Sequence, residues 1–238
     1  MAKAFTDLKY LTFDVVGTLI DFERGITDCL TEIAADVGVT VDGEQALSLY
    51  RAARYDDAAL LFPDDLARVY LKIAPELGLP VETALGERLR GSVTDWKPFA
   101  DSVAALAQLK TRYRLIAMTN AQRWAFTYFD EALGQPFHAA FTTDDTSTEK
   151  PDPAFFETVF AFVESEGSSR ADILHVAQSQ YHDIGISRQL GLTNCWIERR
   201  HAQKGYGGTI EPEAFVKPDF HFTSMAALAD AVEQNRAA

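Results

Sequence analysis

The chain has 238 residues, with 47% hydrophobic and 24% charged side chains, which is typical of an ordinary folded protein of one or two domains. Its 22 basic and 35 acidic residues give a net charge of -13, which disfavours binding to nucleic acids and anionic membranes. Its two cysteines, Cys29 and Cys195, are far apart, which favours reduced thiols over a disulfide framework. With neither a signal-like run nor a membrane-length apolar run, the sequence predicts a cytoplasmic protein with no nucleic-acid or membrane partner.

Short apolar runs alternate with helical patterns along most of the chain. The runs predicted to be strands are 10–16, 114–119, 139–143, 173–177 and 193–197, with a short edge strand before the last helix. Helical patterns cover 122–133, 153–164 and 182–190. Nearly all-apolar strands that alternate with helices favour a parallel sheet covered on both faces, so the predicted fold is a doubly wound, Rossmann-like α/β sheet.

The segment 22–98 interrupts this alternation. It carries apolar residues at helical spacing over 42–61 and again over 64–77, and it has no clear strand. The simplest interpretation is an all-helical cap, residues 22–98, inserted into a Rossmann-like core that consists of residues 1–21 and 99–238.

Polar side chains follow the predicted strands at the edge where parallel sheets bind ligands. These side chains are those of Asp14, Thr119, Asn120, Lys150, Gln178, Ser179 and Asp183. Each of them taken alone is better explained as a helix cap, a turn residue or a solvated lysine. Their joint occurrence at successive strand ends instead predicts a reactive site at that edge.

The order of four short motifs resembles the haloacid dehalogenase superfamily. The motifs are FDVVGTLID (13–21), AMTN (117–120), EKPDP (149–153) and HVAQSQYHD (175–183). The similarity extends over essentially the whole chain, including a helical cap after the first motif. The pattern is most similar to the L-2-haloacid dehalogenases, whose cap contains a leucine-aromatic-arginine run that appears here as Leu49, Tyr50 and Arg51. The segment CWIERR (195–200) also resembles theirs.

The resemblance implies a hydrolase with a carboxylate nucleophile. Asp14 would attack the substrate carbon and form a covalent ester. Lys150 would keep that carboxylate ionised and aimed, through contact between opposite charges. Asp183 would orient Lys150 and help to activate the water that hydrolyses the ester.

The resemblance also implies how a small carboxylic acid substrate would bind. Thr119 would hydrogen-bond the substrate carboxylate, and the backbone N–H groups of Val15 and Val16 would complete an anion cradle. Asn120 and Arg51 would lie near the departing anion.

Two departures from the phosphatases of the superfamily predict an enzyme without a metal or another cofactor. Val16 stands where those enzymes carry a second aspartate, which protonates the leaving alcohol. The fourth motif has Gln178 and Gln180 where acids would bind magnesium, which prefers oxygen ligands. A halide leaves as a stable anion and needs no proton, so the sequence favours chemistry at carbon.

The motifs also depart from the dehalogenases, and this leaves the substrate open. Val16 replaces their tyrosine, and the fourth motif has one extra residue. Its YHD ending is closer to an azetidine-2-carboxylate hydrolase of the same superfamily, which opens a strained ring by breaking a C–N bond. Tyr181 and His182 would then serve as proton donors beside Gln178 and Ser179. A phosphatase and a catalytically silent anion-binding protein remain as alternatives, and a homodimer is compatible with the sequence.

Other conspicuous residues are expected to be structural. His175 falls inside an apolar strand run and is predicted to be a core residue. The run RRHAQKGYGG (199–208) lacks the spacing of a phosphate-binding loop and is predicted to be a flexible surface loop, with a place over the pocket left open as the alternative. The cap aromatics Tyr55, Phe62 and Tyr70 are expected in its core, with a place in the wall of the substrate pocket left open for one of them.

Overall fold

A computed structural model describes residues 4–235; the remaining residues assigned to the predicted core, 1–3 and 236–238, lie outside the described part. The strands are β1 (Tyr10–Phe13), β2 (Arg114–Met118), β3 (Ala139–Phe141), β4 (Ile173–Ala177), β5 (Thr193–Ile197) and β6 (Phe220–Phe222). The helices are α1 (Phe22–Asp36), α2 (Gly43–Arg54), α3 (Leu66–Ile73), α4 (Thr83–Gly91), α5 (Ser102–Leu109), α6 (Arg123–Ala132), α7 (Thr143–Thr146), α8 (Pro153–Ser165), α9 (Gly185–Gln189) and α10 (Met225–Gln234). A π-helical turn, Gln180–Ile184, precedes α9.

The strands form one parallel sheet in the order β3-β2-β1-β4-β5-β6. The chain runs outward from β1 in both directions, so the strand order reverses between β1 and β4. In open parallel sheets a crevice forms at the carboxyl ends of such strands. The predicted Rossmann-like sheet is confirmed, and the reversal point lies where β1 delivers Asp14.

Successive residues of each strand face opposite sides of the sheet, as the two-residue period requires. Leu11 and Phe13 belong to the larger hydrophobic cluster, which includes residues of α5, α6 and α10. Tyr10 and Ile116 belong to a second cluster, with Phe155 and other residues of α8. Both faces of the sheet are therefore covered by helices, and burial of the strands on both sides explains why their sequences are nearly continuous apolar runs.

β1 ends earlier than the sequence indicates. It stops at Phe13 rather than at position 16, although the N–H of Asp14 still donates to Val176 O of β4 at 3.1 Å. The chain then turns at once, because the N–H groups of Leu19 and Ile20 both donate to Val15 O. This tight turn fixes the Asp14 carboxylate at the edge of the sheet.

Helices α1–α4 follow one another between β1 and α5, and no strand of the sheet lies among them. The helix predicted over 42–61 ends at Arg54, since Asp56 turns the chain by accepting the N–H of Ala58 at 2.9 Å. The two ends of the helical segment are joined, because Asp21 N–H donates to Lys97 O at 2.9 Å. The division into a core and a cap at 22–98 stays a prediction.

Within residues 4–235, none of the helices combines the length and the hydrophobicity that a membrane span requires.

Candidate active site

Three charged side chains meet at the carboxyl edge of the sheet. Lys150 Nζ donates to Asp14 Oδ1 at 3.0 Å and to Asp183 Oδ1 at 2.6 Å. All three residues are buried. An ammonium between two carboxylates compensates their charge where water cannot, so this arrangement can keep a carboxylate ionised at the end of β1.

The two carboxylates that share Lys150 differ in pKa. Burial raises the pKa of Asp14, and the charge of Asp183 adds to the rise, against the opposing effects of Lys150 and Thr18. Burial also acts to raise the pKa of Asp183, but Lys150 and the hydrogen bond from His175 outweigh it and lower that pKa to about 2. Asp183 therefore stays ionised to lower pH than Asp14, whose raised pKa makes its ionisation more sensitive to acid.

Thr18 fixes the second oxygen of the Asp14 carboxylate. Its Oγ1 donates to Asp14 Oδ2 at 2.6 Å and accepts the N–H of Gln178 at 2.8 Å. The hydroxyl thus ties the turn after β1 to the end of β4. The sequence alone does not indicate this role of Thr18, because it depends on a contact with a residue 160 positions away.

Asn120 holds the backbone of Lys150 rather than presenting its amide to the cavity. Its Nδ2 donates to Lys150 O at 2.9 Å, and its Oδ1 accepts Lys150 N–H at 2.8 Å. The side chain therefore positions the lysine. Asn120 also contributes to the cavity wall, and its place near a departing anion stays a prediction.

Donors suited to a carboxylate surround the Asp14 side chain. No hydrogen bond found among residues 4–235 uses the backbone N–H of Val15 or Val16. The Thr119 hydroxyl accepts the N–H of Ala121 at 3.2 Å, which leaves its own proton free to be donated. Val16 and Thr119 line the cavity, whereas the side chain of Val15 is buried in the core.

These groups surround a small cavity of about 80 Å³. Its walls are formed by Asp14, Val16, Phe22, Tyr50, Arg54, Tyr55, Phe62, Thr119, Asn120, Ala121, Glu149, Lys150, Gln178, Ser179, His182, Asp183, Gly208 and Thr209. A space of this size suits a substrate of a few non-hydrogen atoms better than a nucleotide, since pockets for drug-sized ligands measure roughly 300–1,000 Å³.

The cavity takes its arginine from Arg54, so the placement of Arg51 in the cleft is wrong. Tyr50 and Arg54 line the cavity together because residues four apart share one helix face. Arg51 points elsewhere on α2, and its Nη1 donates to Gly207 O at 2.6 Å. It therefore holds a loop beside the cavity and does not itself line the cavity.

Arg54 is paired with two acids. Its Nη2 donates to Glu149 Oε1 at 3.2 Å, and its Nη1 lies 3.8 Å from Asp65 Oδ2. Its side chain is 8% exposed and that of Asp65 is completely buried. Burial raises the pKa of Glu149, although Arg54 opposes that rise. The cavity wall therefore presents a guanidinium and a carboxyl group side by side.

Tyr181 is not in the cavity, although the sequence analysis placed it among the substrate-binding residues. It is 37% exposed, and its ring packs edge-on against His182. In its place the helical segment supplies Tyr55, whose hydroxyl lies 3.3 Å from His182 Nε2. His182 Nδ1 lies 3.1 Å from Ser179 Oγ, which completes a polar chain along one wall. Burial lowers the pKa of His182 to about 4, so this imidazole is neutral near pH 7.

The loop 199–209 forms another wall of the cavity, so the placement over the pocket that was left open for residues 199–208 describes it better than a free surface loop does. Arg200 pairs with Glu23 of α1 and donates to Glu44 of α2 at 2.8 Å. The N–H of Gly208 donates to Glu23 Oε1 at 2.8 Å. These contacts hold Gly208 and Thr209 against the helical segment, where both line the cavity.

Comparisons with known proteins agree with this architecture. The model of the haloacid dehalogenase-like hydrolase family matches residues 8–176, which is more than half of the chain. The sequence match to a hydrolase family therefore agrees with the structure, in which an aspartate and a lysine meet where the strand order of a parallel sheet reverses. The chain belongs to the haloacid dehalogenase-like hydrolases, as the motifs indicate. No curated protein sequence matches it significantly.

Solved structures share the fold at low sequence identity. The L-2-haloacid dehalogenase RSc1362 has a TM-score of 0.76 at 19% identity, over 95% of this chain and 99% of the other. The L-2-haloacid dehalogenase of Xanthobacter autotrophicus, with chloropropionic acid covalently bound, has a TM-score of 0.71 at 19% identity, over 95% and 98%. The hydrolase YfnB of Bacillus subtilis, bound to magnesium, has a TM-score of 0.76 at 17% identity, over 95% and 99%.

Because one of these structures contains magnesium, we asked whether the oxygen atoms near Asp14 could bind this ion. Lys150 Nζ lies between the carboxylates of Asp14 and Asp183, and Thr18 holds the other oxygen of Asp14. Asp183 Oδ2 is the carboxylate oxygen of this cluster that has no partner among residues 4–235. Gln178 stands where an additional acid could supply a further oxygen ligand. In the same range no three His, Cys, Asp or Glu side chains are grouped to hold a metal. These residues do not fit a magnesium site, because magnesium requires near-octahedral coordination by oxygen atoms.

Proposed function

We propose that this hydrolase uses Asp14 to displace the 2-substituent of a small carboxylic acid, with a 2-haloacid as the first choice of substrate. The observation that carries the proposal is the buried Asp14–Lys150–Asp183 cluster facing a small cavity with Val16 in its wall. It provides a nucleophilic carboxylate and a countercharge, and Val16 cannot protonate a leaving alkoxide. Halide departure requires no such proton.

The proposed reaction has two steps. In the first, an oxygen of Asp14 attacks C2 of the substrate, and the electron pair of the breaking bond leaves with the halide. The carboxylate of the substrate lies against Thr119 and the N–H groups of Val15 and Val16, and Arg54 faces the charge that develops on the halide. In the second, water attacks Cγ of the ester, and Asp183 accepts its proton. The product is a 2-hydroxy acid whose hydroxyl oxygen comes from Asp14.

Opening of a strained cyclic amino acid at C2 is the second candidate. The observation that favours it is the chain of Tyr55, His182 and Ser179 along the cavity wall. A departing nitrogen requires a proton more than a halide does, and the Tyr55 hydroxyl is a donor. His182, being neutral, is a hydrogen-bonding relay in this scheme. Glu149 offers a countercharge for the ammonium group that such a substrate carries.

Turnover of a panel of 2-haloacids and cyclic 2-amino acids, before and after EDTA treatment, tests the proposal. We expect one class to be hydrolysed, with activity retained after chelation. Asp14→Asn is the matched control: an amide is a poor nucleophile, and we expect its turnover to fall by well over ~10³-fold. A single turnover in H₂¹⁸O should place the label in Asp14 and leave the product unlabelled.

Different results distinguish the alternatives. Activity that disappears with EDTA and returns with magnesium would support phosphate ester chemistry. An Asp14→Asn variant with more than about a tenth of the wild-type turnover, a penalty of only ~1.4 kcal/mol, would exclude the covalent route. Label in the product during the first turnover would do the same, because it requires direct attack of water on the substrate.

A further inference from the structure

A buried histidine lies behind the catalytic cluster and has no access to the cavity. His175 is at the centre of β4, is completely buried, and does not line the cavity. Its Nδ1 lies 2.8 Å from Thr12 Oγ1 on β1, and its Nε2 lies 3.0 Å from Asp183 Oδ1. The register of the sheet sets this arrangement, because Thr12 and His175 are directly paired across the two parallel strands.

The hydrogen bonds place a proton on Nε2. Asp183 is an anion and can only accept, so Nε2 must donate to it. Nδ1 lies within hydrogen-bond distance of the Thr12 hydroxyl, which has no other partner in the described hydrogen-bond network. The ring itself is held in place by Phe156, which packs edge-on against it at 5.4 Å. His175 is thus held in one defined orientation, with Nε2 facing Asp183 and Nδ1 facing Thr12.

The donation from His175 makes the two oxygens of Asp183 unequal. Oδ1 accepts from both Lys150 and His175, whereas Oδ2 is buried and has no partner among residues 4–235. Asp183 also lines the cavity. A buried carboxylate oxygen without a donor is costly, and a water molecule placed beside the Asp14 ester would satisfy it.

The geometry points to His175 as a positioning residue for the second step of the reaction: it holds Asp183 so that Oδ2 faces the water that hydrolyses the Asp14 ester. This inference rests on the proposed function. The water oxygen forms a bond to Asp14 Cγ while its proton passes to Asp183 Oδ2. The tetrahedral intermediate then collapses, the bond between Cγ and the substrate oxygen breaks, and Asp183 returns the proton to the departing alkoxide. The first step, attack on C2, does not involve Asp183 Oδ2.

The inference therefore predicts that loss of the donor slows ester hydrolysis more than ester formation. In His175→Phe the ring shape and the contact with Phe156 are retained, but both nitrogens are absent. We expect kcat to fall by ~10–100-fold, the range seen when partners that orient functional groups are removed. The Asp14 ester should accumulate, which intact-protein mass spectrometry after acid quench measures. A burst of leaving group, one per active site, should precede the slow steady state.

Two further variants separate positioning from packing. His175→Gln carries an amide Nε2–H that can donate to Asp183 Oδ1, so it should regain part of the rate and accumulate less ester. Thr12→Val removes the partner of Nδ1 with little change in volume, so it should shift the same readouts in the same direction by less. In the wild-type protein the hydrogen bond from His175 lowers the pKa of Asp183. His175→Phe removes that bond, so the pKa of Asp183 should rise and the acid limb of kcat should move to higher pH. The charged group that contacts His175 is Asp183, which accepts from Lys150, and Lys150 in turn donates to Asp14.

Other outcomes overturn the inference without touching the proposed function. If wild-type protein labels Asp14 but His175→Phe slows without ester accumulation or a burst, His175 acts in packing alone. Equal losses in His175→Phe and His175→Gln, with an unmoved acid limb, lead to the same conclusion. If wild-type protein never labels Asp14, the proposed function itself fails.

Discussion

Two arginines on helix α2 show that the position of a residue around the helix axis determines whether its side chain reaches the cavity. Arg51 donates to the carbonyl of Gly207, whereas Arg54, less than one turn further on, lies in the cavity beside Glu149. Motif similarity selects Arg51, but the phase of the helix selects Arg54. Access to the cavity at this position is therefore decided by about 60° of rotation around the helix axis, since three residues fall that far short of a full circle at 3.6 residues per turn.

A matched pair of substitutions tests this assignment. We expect Arg54→Lys to lower kcat by ~10²-fold, because lysine lacks the planar fork that pairs with Glu149 while it faces the leaving group. Arg51→Lys keeps a donor for Gly207 O and should remain close to wild type. The measurement is kcat and KM for both variants on the substrate found in the panel. A larger loss in Arg51→Lys than in Arg54→Lys would contradict the placement, and a rise in KM alone for Arg54→Lys would assign it to carboxylate binding.

At the residue scale, the sequence predicts the groups delivered by strand ends and misses those that depend on distant contacts. Asp14, Thr119 and Lys150 lie together because parallel strands bring their carboxyl ends to one edge. Thr18 and the contact of Tyr55 with His182 are missed, because the role of each residue depends on a partner more than 120 residues away. His175 was correctly predicted to be buried, but its bond to Asp183 follows from a π-helical turn that strand patterns do not reveal.

At the element scale, the fourth motif begins its helix with that π-helical turn, Gln180–Ile184. The N–H of Ile184 donates to Ser179 O at 3.1 Å, five residues back, so the turn holds one more residue than an α-helical turn. Asp183 can thereby reach both Lys150 and His175, while α9 continues the helix behind it. The sequence predicts one helix over 182–190, because a periodic pattern cannot distinguish a single wide turn from regular α-helix.

The loop 199–209 offers a test at the same scale. A methyl group added at Gly208 would lie 2.7 Å from the ring of Phe22 and 3.3 Å from that of Tyr50, both of which line the cavity. We expect Gly208→Ala to destabilise the protein by ~1–3 kcal/mol, the usual cost of overpacking, and to raise KM. Thermal melting and steady-state kinetics measure the two effects.

Gly91→Ala is the control for this substitution. Gly91 ends helix α4, and an added methyl group there would meet nothing within 4 Å. Since alanine is the better helix former, this variant should melt at or slightly above the wild-type temperature. Similar melting temperatures and unchanged KM in both variants would show that the loop yields without affecting the cavity.

At the scale of the whole molecule, His182 links stability to pH. Its pKa is lowered to about 4 by burial, and the ordinary value in an unfolded chain is about 6.5. Between these values the unfolded chain holds a proton that the folded protein does not, so protonation favours unfolding. Stability is complete above pH 6.5 and declines as the pH falls toward 4, by up to ~3 kcal/mol from this group.

Urea unfolding at pH 7 and pH 4.5 measures this contribution. Other carboxyl groups titrate over the same range, so the informative quantity is the difference between wild type and His182→Gln. We expect the variant to lose markedly less stability on acidification. An identical loss in both proteins would mean that His182 is protonated as easily in the folded state as in the unfolded state.

The helical segment leaves the sheet and returns to it at hydrogen-bonded neighbours, Asp21 and Lys97. Such an insert adds little closure entropy to the core, because its ends are already together. Recombination at these two positions would exchange Tyr50, Arg54 and Tyr55 as one module while Asp14, Lys150 and Asp183 stay on the sheet. Exchange of this segment would thus alter one wall of the cavity without rebuilding the charged cluster on the sheet, and a laboratory chimera joined at the same two positions would inherit that independence.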